Sequence, residues 1–95
     1  MNDAQIKARV VEILLTVAPE VDPARLRPDR PLRDQVDLDS MDWLRVIVGV
    51  HERLHVDIPE KDYARLGTLD DWAAYLGPKL APADSGSGDR PQRPY

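Results

Sequence analysis

The chain has 95 residues, 42% of them apolar, which is enough for one domain with a modest core. It contains no cysteine, which excludes disulfides, thiolate metal sites and a cysteine nucleophile. The net charge of −4 argues against a nucleic acid partner, because phosphate contacts need clustered Lys and Arg. No apolar run approaches the roughly 20 residues that span a bilayer, and the N-terminus lacks a basic region followed by an apolar block, so we expect no membrane insertion and a cytoplasmic location.

The first predicted helix begins at Asp3, which we expect to cap it, and it runs to about Ala18. Pro19 prevents it from continuing. Its apolar residues recur at intervals of three and four, the spacing of one buried helix face: Ile6, Val10, Ile13, Leu14 and Val17.

A long connection follows, over residues 19–38. It holds four of the nine prolines of the chain, which excludes a long regular element, although a brief helical turn over residues 23–26 is compatible with them. A loop of this length in a small domain is usually functional or held by apolar anchors. Four apolar residues are the predicted anchors: Val21, Leu26, Leu32 and Val36.

The next helix is predicted from Ser40 to about Leu54. At about 100° per residue, one apolar arc of it forms a core face: Trp43, Val46, Ile47, Val50 and Leu54. Met41, Leu44 and Val48 lie on an adjoining arc. A helix packed on one side does not need a second arc, so these three residues are either further core or an exposed contact surface.

Two shorter elements complete the predicted bundle. Pro59 suits the first turn of a short helix to about Leu66, with Tyr63 and Leu66 facing inward. The spacing of Thr68 and Asp71 is that of a capping box, opening a last helix that residues 77 and 78, Gly and Pro, are expected to close. The inward residues of that helix are Leu69, Trp72, Ala73 and Leu76, with Tyr75 at the core edge.

The C-terminal residues from Lys79 to Tyr95 are rich in Pro, Gly and Ser. Such a composition cannot bury enough apolar surface to fold. We therefore predict a helical domain over residues 1–80 and a disordered tail over residues 81–95.

An acidic turn delivers Ser40 to the first position of the second main helix. Backbone N–H groups are unpaired at such an end, and the helix dipole places a partial positive charge there, so a phosphate ester on Ser40 would be stabilised. The triplet Asp39-Ser40-Met41 resembles the attachment site of the acyl carrier proteins and of the related peptidyl carrier domains. The resemblance extends over roughly residues 3–80, since the acidic approach, the helix length, the Ile58-Pro59 pair and the capped last helix also match.

The resemblance implies an all-α, four-helix, acyl-carrier-like bundle, with three main helices, one short helix and a long first loop. It implies a carrier and not an enzyme, with 4′-phosphopantetheine bound covalently to Ser40. Asp39 would orient the serine within a phosphopantetheinyl transferase, which must supply the magnesium and the base, because no histidine lies near Ser40 in sequence and aspartates are weak bases.

Further partners implied by the resemblance are acyl-transfer or synthase enzymes, met by a monomer. Met41 and Val48 match the apolar positions with which the family meets its enzymes, whereas we expect Leu44 to be mostly buried. The partner-binding residues are predicted to be Met41, Asp42, Arg45, Val48 and Glu52.

Several positions depart from the family pattern. Asp37 stands where the family often has glycine, and Asp tolerates the same turn. Arg45, His51 and Arg53 occupy places where fatty-acid carriers commonly hold carboxylates. Because charge complementarity governs partner choice, these residues predict a specialised lipid or polyketide-type pathway.

Four alternatives remain open at the level of sequence. Asp39 or Ser40 is a common helix cap in any protein, so Ser40 could have no further role. The cargo could be aminoacyl, as in a peptidyl carrier, or the domain could be a helical interaction module. Finally, the sequence contains H-E-x-x-H, the zinc motif of metallopeptidases, at His51, Glu52 and His55. Two observations argue against a zinc site: the chain has only these two histidines, and little chain remains to build a substrate cleft.

Overall fold

The computed structural model describes residues 2–80. Four α-helices follow one another as α1 (Asp3–Val17), α2 (Leu32–Gln35), α3 (Ser40–Leu54) and α4 (Leu69–Lys79), with two 3₁₀ helices at Pro23–Arg25 and Glu60–Arg65. The predicted all-helical bundle with three main helices is confirmed, and residues 2–80 contain no strand. Among these residues, no helix combines the length and the apolar character needed to cross a membrane.

The start of α1 corrects one prediction. Asn2, and not Asp3, caps the helix, because Asn2 is extended while Asp3 is already helical. The Gln5 N–H donates to Asn2 Oδ1 at 2.8 Å, and the Asn2 N–H donates to Gln5 Oε1 at 2.9 Å. This reciprocal pair is a capping box, which satisfies two backbone donors that a bare helix end leaves unpaired.

The core lies where α1, α3 and α4 meet. All the inward residues predicted for α4 are buried, as are the predicted α1 residues except Val17, which is half-buried. On α3 the four buried residues are Val46, Ile47, Val50 and Leu54. Trp43 is only partly buried, and its ring packs edge-on against that of Trp72 with 6.2 Å between centroids.

A close approach of α1 and α3 occurs at Gly49. A Cβ atom built on Gly49 would lie 2.7 Å from Ile13 Cγ2, which is shorter than any ordinary van der Waals contact. Glycine inside a helix costs about 1 kcal/mol relative to alanine, so its presence here is explained by this packing.

The long loop is fixed to the bundle by the four apolar residues predicted to anchor it. Leu32 and Val36 are buried, and Val21 and Leu26 are half-buried against the core, so all four anchors are confirmed. The 3₁₀ turn falls where a brief helical turn was predicted, whereas the single turn of α2 was not predicted.

Hydrogen bonds hold the loop further. The Gln35 amide accepts from the Arg27 N–H at 2.6 Å and donates to the carbonyls of Arg27 and Arg30 at 2.9 Å each. The Leu32 N–H donates to the Gly67 carbonyl at 2.8 Å, at the approach to α4. The loop therefore delivers the chain to the start of α3 from a defined position.

The end of α4 corrects a second prediction. Pro78 lies inside the helix, which continues to Lys79, so Gly77 and Pro78 do not close it. The Leu80 N–H still donates to the Leu76 carbonyl at 2.9 Å, and Leu80 is half-buried against the core. A proline in the last turn forfeits a single hydrogen bond, that of its missing N–H. Lys79 thus belongs to the helix, and the predicted tail over residues 81–95 lies outside the described residues.

The second 3₁₀ helix replaces the short helix predicted after Pro59, and it is tied to α4. The Tyr75 hydroxyl donates to Asp62 Oδ2 at 2.7 Å. Burial raises the pKa of Tyr75 to about 12, and the hydrogen bond to Asp62 acts in the same direction. The phenol is therefore a stable donor across the neutral range. Leu66 is buried and Tyr63 half-buried, as predicted.

Candidate functional site

Ser40 is the exposed first residue of α3. The residue before it, Asp39, is the N-cap: its Oδ1 accepts from the Asp42 N–H at 2.8 Å, and its carbonyl accepts from the Trp43 N–H at 2.9 Å. The alternative in which Ser40 itself caps the helix is thereby excluded. The Ser40 side chain therefore does not cap the helix.

The chain segment before Ser40 and the first turns of the helix after it are both fixed to the core. Val36 and Leu38 are buried while Asp37 between them is exposed, so the segment alternates between core and solvent. Val46 then fixes the first turns of α3 to the core. These contacts hold the Ser40 hydroxyl at the surface, at the N-terminal tip of the helix.

The surroundings of Ser40 suit a phosphate group. Within residues 2–80, no acceptor engages the N–H of Ser40 or that of Met41. Free N–H groups and the positive end of the helix dipole together favour an anion at this point. A phosphate attached to the Ser40 oxygen would lie beside these donors.

No group of the described chain is placed to activate the hydroxyl. Among residues 2–80, no hydrogen bond joins the Ser40 oxygen to a carboxylate or an imidazole. The carboxylate of Asp39 is occupied by the Asp42 N–H. A serine used as a nucleophile by its own chain needs a general base within hydrogen-bond reach.

An exposed apolar stripe follows Ser40 along α3. Met41 is 62% exposed, Leu44 41% and Val48 39%. The prediction that Leu44 is mostly buried was therefore wrong, because the other elements pack against the adjoining arc, whose buried residues are Val46, Ile47, Val50 and Leu54. The stripe is the second apolar arc seen in the sequence, left uncovered by the described residues.

The stripe borders a groove of about 440 Å³ between α3 and the end of α1. Four of the predicted partner-binding residues line it: Met41, Arg45, Val48 and Glu52. Asp42 is not among the lining residues, but its Oδ1 lies 3.7 Å from Nη1 of Arg45. Thr16 and Val17 of α1 also line this groove and were not predicted. Arg53 lines it too; its charge was expected to affect partner choice, but it was not among the predicted partner-binding residues. The one sequence signal for the α1 residues is Gly49, which permits the two helices to approach.

The histidine pair is arranged as helix-end residues. His51 Nδ1 lies 2.6 Å from the Val56 carbonyl, and since a carbonyl only accepts, Nδ1 carries the proton. His55 is the C-cap of α3, with a left-handed φ of 55°, so it lies outside the regular helix that the zinc motif requires. Residues 2–80 hold no group of three or more His, Cys, Asp or Glu that could bind a metal ion.

Comparison with known proteins gives concordant matches. A family model described as "Phosphopantetheine attachment site" matches residues 8–76. The meromycolate extension acyl carrier protein of Mycobacterium tuberculosis (strain H37Rv) is 31% identical over 76 residues, which is 80% of this chain and 65% of that relative. The acyl carrier protein of Thermosynechococcus vestitus is 27% identical over 81 residues, 85% of this chain and 99% of the relative.

The fold has a counterpart among solved structures. The solution structure of an Anaplasma phagocytophilum chain assigned as an acyl carrier protein superposes with a TM-score of 0.74. The two chains are 28% identical, and the match covers 87% of this chain and 97% of the other.

Proposed function

This chain belongs to the phosphopantetheine attachment site family, the family of the acyl carrier proteins, and from that membership we propose that it carries acyl groups as thioesters on a 4′-phosphopantetheine arm attached to Ser40. One observation carries the choice of residue: the matched region, residues 8–76, contains a single serine. Its hydroxyl is exposed at a helix tip with free N–H groups beside it.

The attachment needs a second protein. Ser40 Oγ would form a bond to the phosphorus of the pantetheine phosphate of coenzyme A. The bond from that phosphorus to the bridging oxygen would break and release adenosine 3′,5′-bisphosphate. The serine proton would pass to a base of a phosphopantetheinyl transferase, which also supplies the magnesium. No general base of residues 2–80 is hydrogen-bonded to the Ser40 hydroxyl, which supports a base supplied by the transferase.

The arm, when bound, supplies a terminal thiol, the group that a cysteine-free chain lacks. The chain itself contributes the attachment point for the arm and a docking surface, and it performs no catalysis. Tethering raises the effective concentration of an acyl group at any enzyme that docks the carrier. The partners proposed are acyl-transfer and synthase enzymes, met by a monomeric carrier.

Met41, Asp42, Arg45, Val48 and Glu52 are the proposed partner-binding residues. The two guanidiniums at positions 45 and 53, in a helix where fatty-acid carriers commonly hold carboxylates, favour a specialised lipid pathway over housekeeping fatty-acid synthesis. If general elongation enzymes process the loaded protein as efficiently as a housekeeping carrier, the specialised pathway is excluded.

The test of the carrier function is intact-mass spectrometry of the full chain after incubation with coenzyme A, magnesium and a broad-specificity phosphopantetheinyl transferase. We expect a gain of one phosphopantetheine and the appearance of one free thiol. A subsequent acyl transfer should give a thioester that hydroxylamine cleaves. If the chain gains no mass with any transferase offered, the proposal fails; if only aminoacyl groups are accepted, the chain is a peptidyl carrier.

Asp39 is proposed to orient Ser40 within the transferase as well as to cap α3. The variant Asp39→Asn separates these roles, since Asn caps as well as Asp and only the charge is lost. We expect the rate of attachment to fall by about ten-fold, which corresponds to a loss of about 1.4 kcal/mol of transition-state stabilisation. The free energy of unfolding in urea should fall by only about 0.3–1 kcal/mol, through the helix dipole.

The matched variant is Asp39→Ala, which also removes the cap and should cost about 1 kcal/mol of stability. If Asp39→Asn is modified as fast as the wild type, Asp39 acts only as a cap.

A further inference from the structure

The three large hydrophobic side chains that are exposed within residues 2–80 all lie on one face of α3. They are Met41, Leu44 and Val48, spaced so that they form one stripe. At 1.5 Å per residue the stripe is about 10 Å long. An exposed apolar cluster of this kind marks a contact surface.

The charges beside the stripe are unlike those of the whole chain. Arg45 and Arg53 line the groove next to it, and Glu52 is the one carboxylate lining it. Arg53 forms no ion pair within the described residues, and the Arg45 guanidinium meets Asp42 only at 3.7 Å with 67% of its side chain exposed. An exposed pair of this length contributes little, so both guanidiniums are available to a partner. The lining of the groove thus carries two guanidiniums and one carboxylate, with the Asp42 carboxylate beside Arg45, on a chain of net charge −4.

The far wall of the groove comes from the end of α1. Val17 contributes apolar surface, and the Thr16 hydroxyl is already engaged, since it donates to the Ile13 carbonyl at 2.6 Å. The contact of Gly49 with Ile13 holds α1 and α3 together beside this wall. The groove is therefore preformed by the fold, which lowers the cost of binding.

We propose that this groove docks a partner surface on which carboxylates flank an apolar side chain, the apolar group lying on Met41, Leu44 and Val48 and the carboxylates meeting Arg45 and Arg53. The inference rests on the proposed carrier function, because the groove begins one residue after Ser40 and a partner held there faces the arm. Beyond the carrier function, the inference specifies that the partner is selected by negative charge on its docking surface. Enzymes with a basic docking surface are disfavoured by the same two guanidiniums.

The probes are two synthetic helical peptides that differ only in charge. Each presents two leucines on one face, flanked by four glutamates in one peptide and by four lysines in the other. They are titrated into the ¹⁵N-labelled full chain without its arm, and amide shifts report the site and the dissociation constant. The net charge of the chain attracts the lysine peptide, so a preference for the glutamate peptide must arise in the groove.

We expect the glutamate peptide to shift the amides of Met41, Leu44, Val48 and Arg53 and to bind at least about ten-fold tighter than the lysine peptide at low salt. The preference should decline in about 0.5 M salt, where charges are screened beyond a few ångströms. In the double variant R45E/R53E the order should reverse. The variant Lys61→Glu, which makes half of this charge change outside the groove, should leave the order intact.

The inference is overturned if the two peptides bind equally, if the lysine peptide binds tighter, or if the glutamate peptide produces no shifts at millimolar concentration. A retained preference in R45E/R53E also overturns it. The salt series tests the role of charge on the wild type, without any variant. Because the peptides are bound without the arm, a failure here leaves attachment at Ser40 unaffected, and a failure of attachment is seen separately by mass.

Discussion

Replacing Ser40 with alanine is expected to abolish the gain of phosphopantetheine completely. Attachment requires a hydroxyl oxygen to bond to phosphorus, and Ser40 is the single serine in residues 8–76. The fold should be unaffected, because Asp39 and not Ser40 caps α3, and surface substitutions away from such features change stability by about 0.5 kcal/mol or less. Intact-mass spectrometry measures the attachment, and thermal unfolding followed by circular dichroism checks the fold.

The matched control uses the two other serines of the chain. The double variant S85A/S87A keeps Ser40 and should be modified to the same extent as the wild type. A mass gain that survives in Ser40→Ala but disappears in the control variant would move the attachment to the C-terminal residues and contradict the assignment of Ser40.

Replacing Gly49 with alanine is expected to destabilise the domain, although alanine is the better helix former. The propensity gain of about 1 kcal/mol is opposed by a Cβ atom placed 2.7 Å from Ile13 Cγ2. Ile13 Cγ2 is a methyl group bonded directly to the branched Cβ of Ile13, and the Ile13 side chain is only 1% exposed. The methyl group therefore cannot move away without disturbing the core. Overpacking a core costs about 1–3 kcal/mol. After the propensity gain of about 1 kcal/mol is subtracted, we expect the free energy of unfolding in urea to fall by up to about 2 kcal/mol.

Gly77 provides the opposite case in the same protein. It also lies inside a helix, but a Cβ atom there would meet nothing within 4 Å. Gly77→Ala should therefore stabilise α4 by up to about 1 kcal/mol. If both substitutions stabilise the domain, α1 and α3 are not as close as the structure has them, and the α1 wall of the groove would have to be reconsidered.

The local features of this protein could be predicted because they depend on neighbours in sequence. The bounds of α3 and the capping box of Thr68 and Asp71 were both predicted correctly. Capping needs a side chain three residues from the N–H it accepts, and a buried helix face needs apolar residues at helical spacing. Ser40 could be placed at a helix tip on the same grounds.

Other features depend on residues distant in sequence, and there the predictions were wrong or absent. Pro78 lies inside α4, and Leu80 after it packs against the core formed by residues distant in sequence. The turn of α2 forms where Gly67, from another part of the chain, accepts the Leu32 N–H. Neither partner can be read from the residues next to these positions.

The two apolar arcs of α3 show the same division most clearly. Sequence periodicity revealed both arcs and the serine that precedes them, since each follows from the 3.6-residue repeat of a helix. Which arc is buried was decided by the tertiary structure, because burial depends on where the other elements pack, and that packing buries Val50 and leaves Leu44 at the surface. Tertiary packing likewise brought Val17 of α1 beside Arg53 to form the groove, since a contact between helices far apart in sequence exists only once the chain has folded.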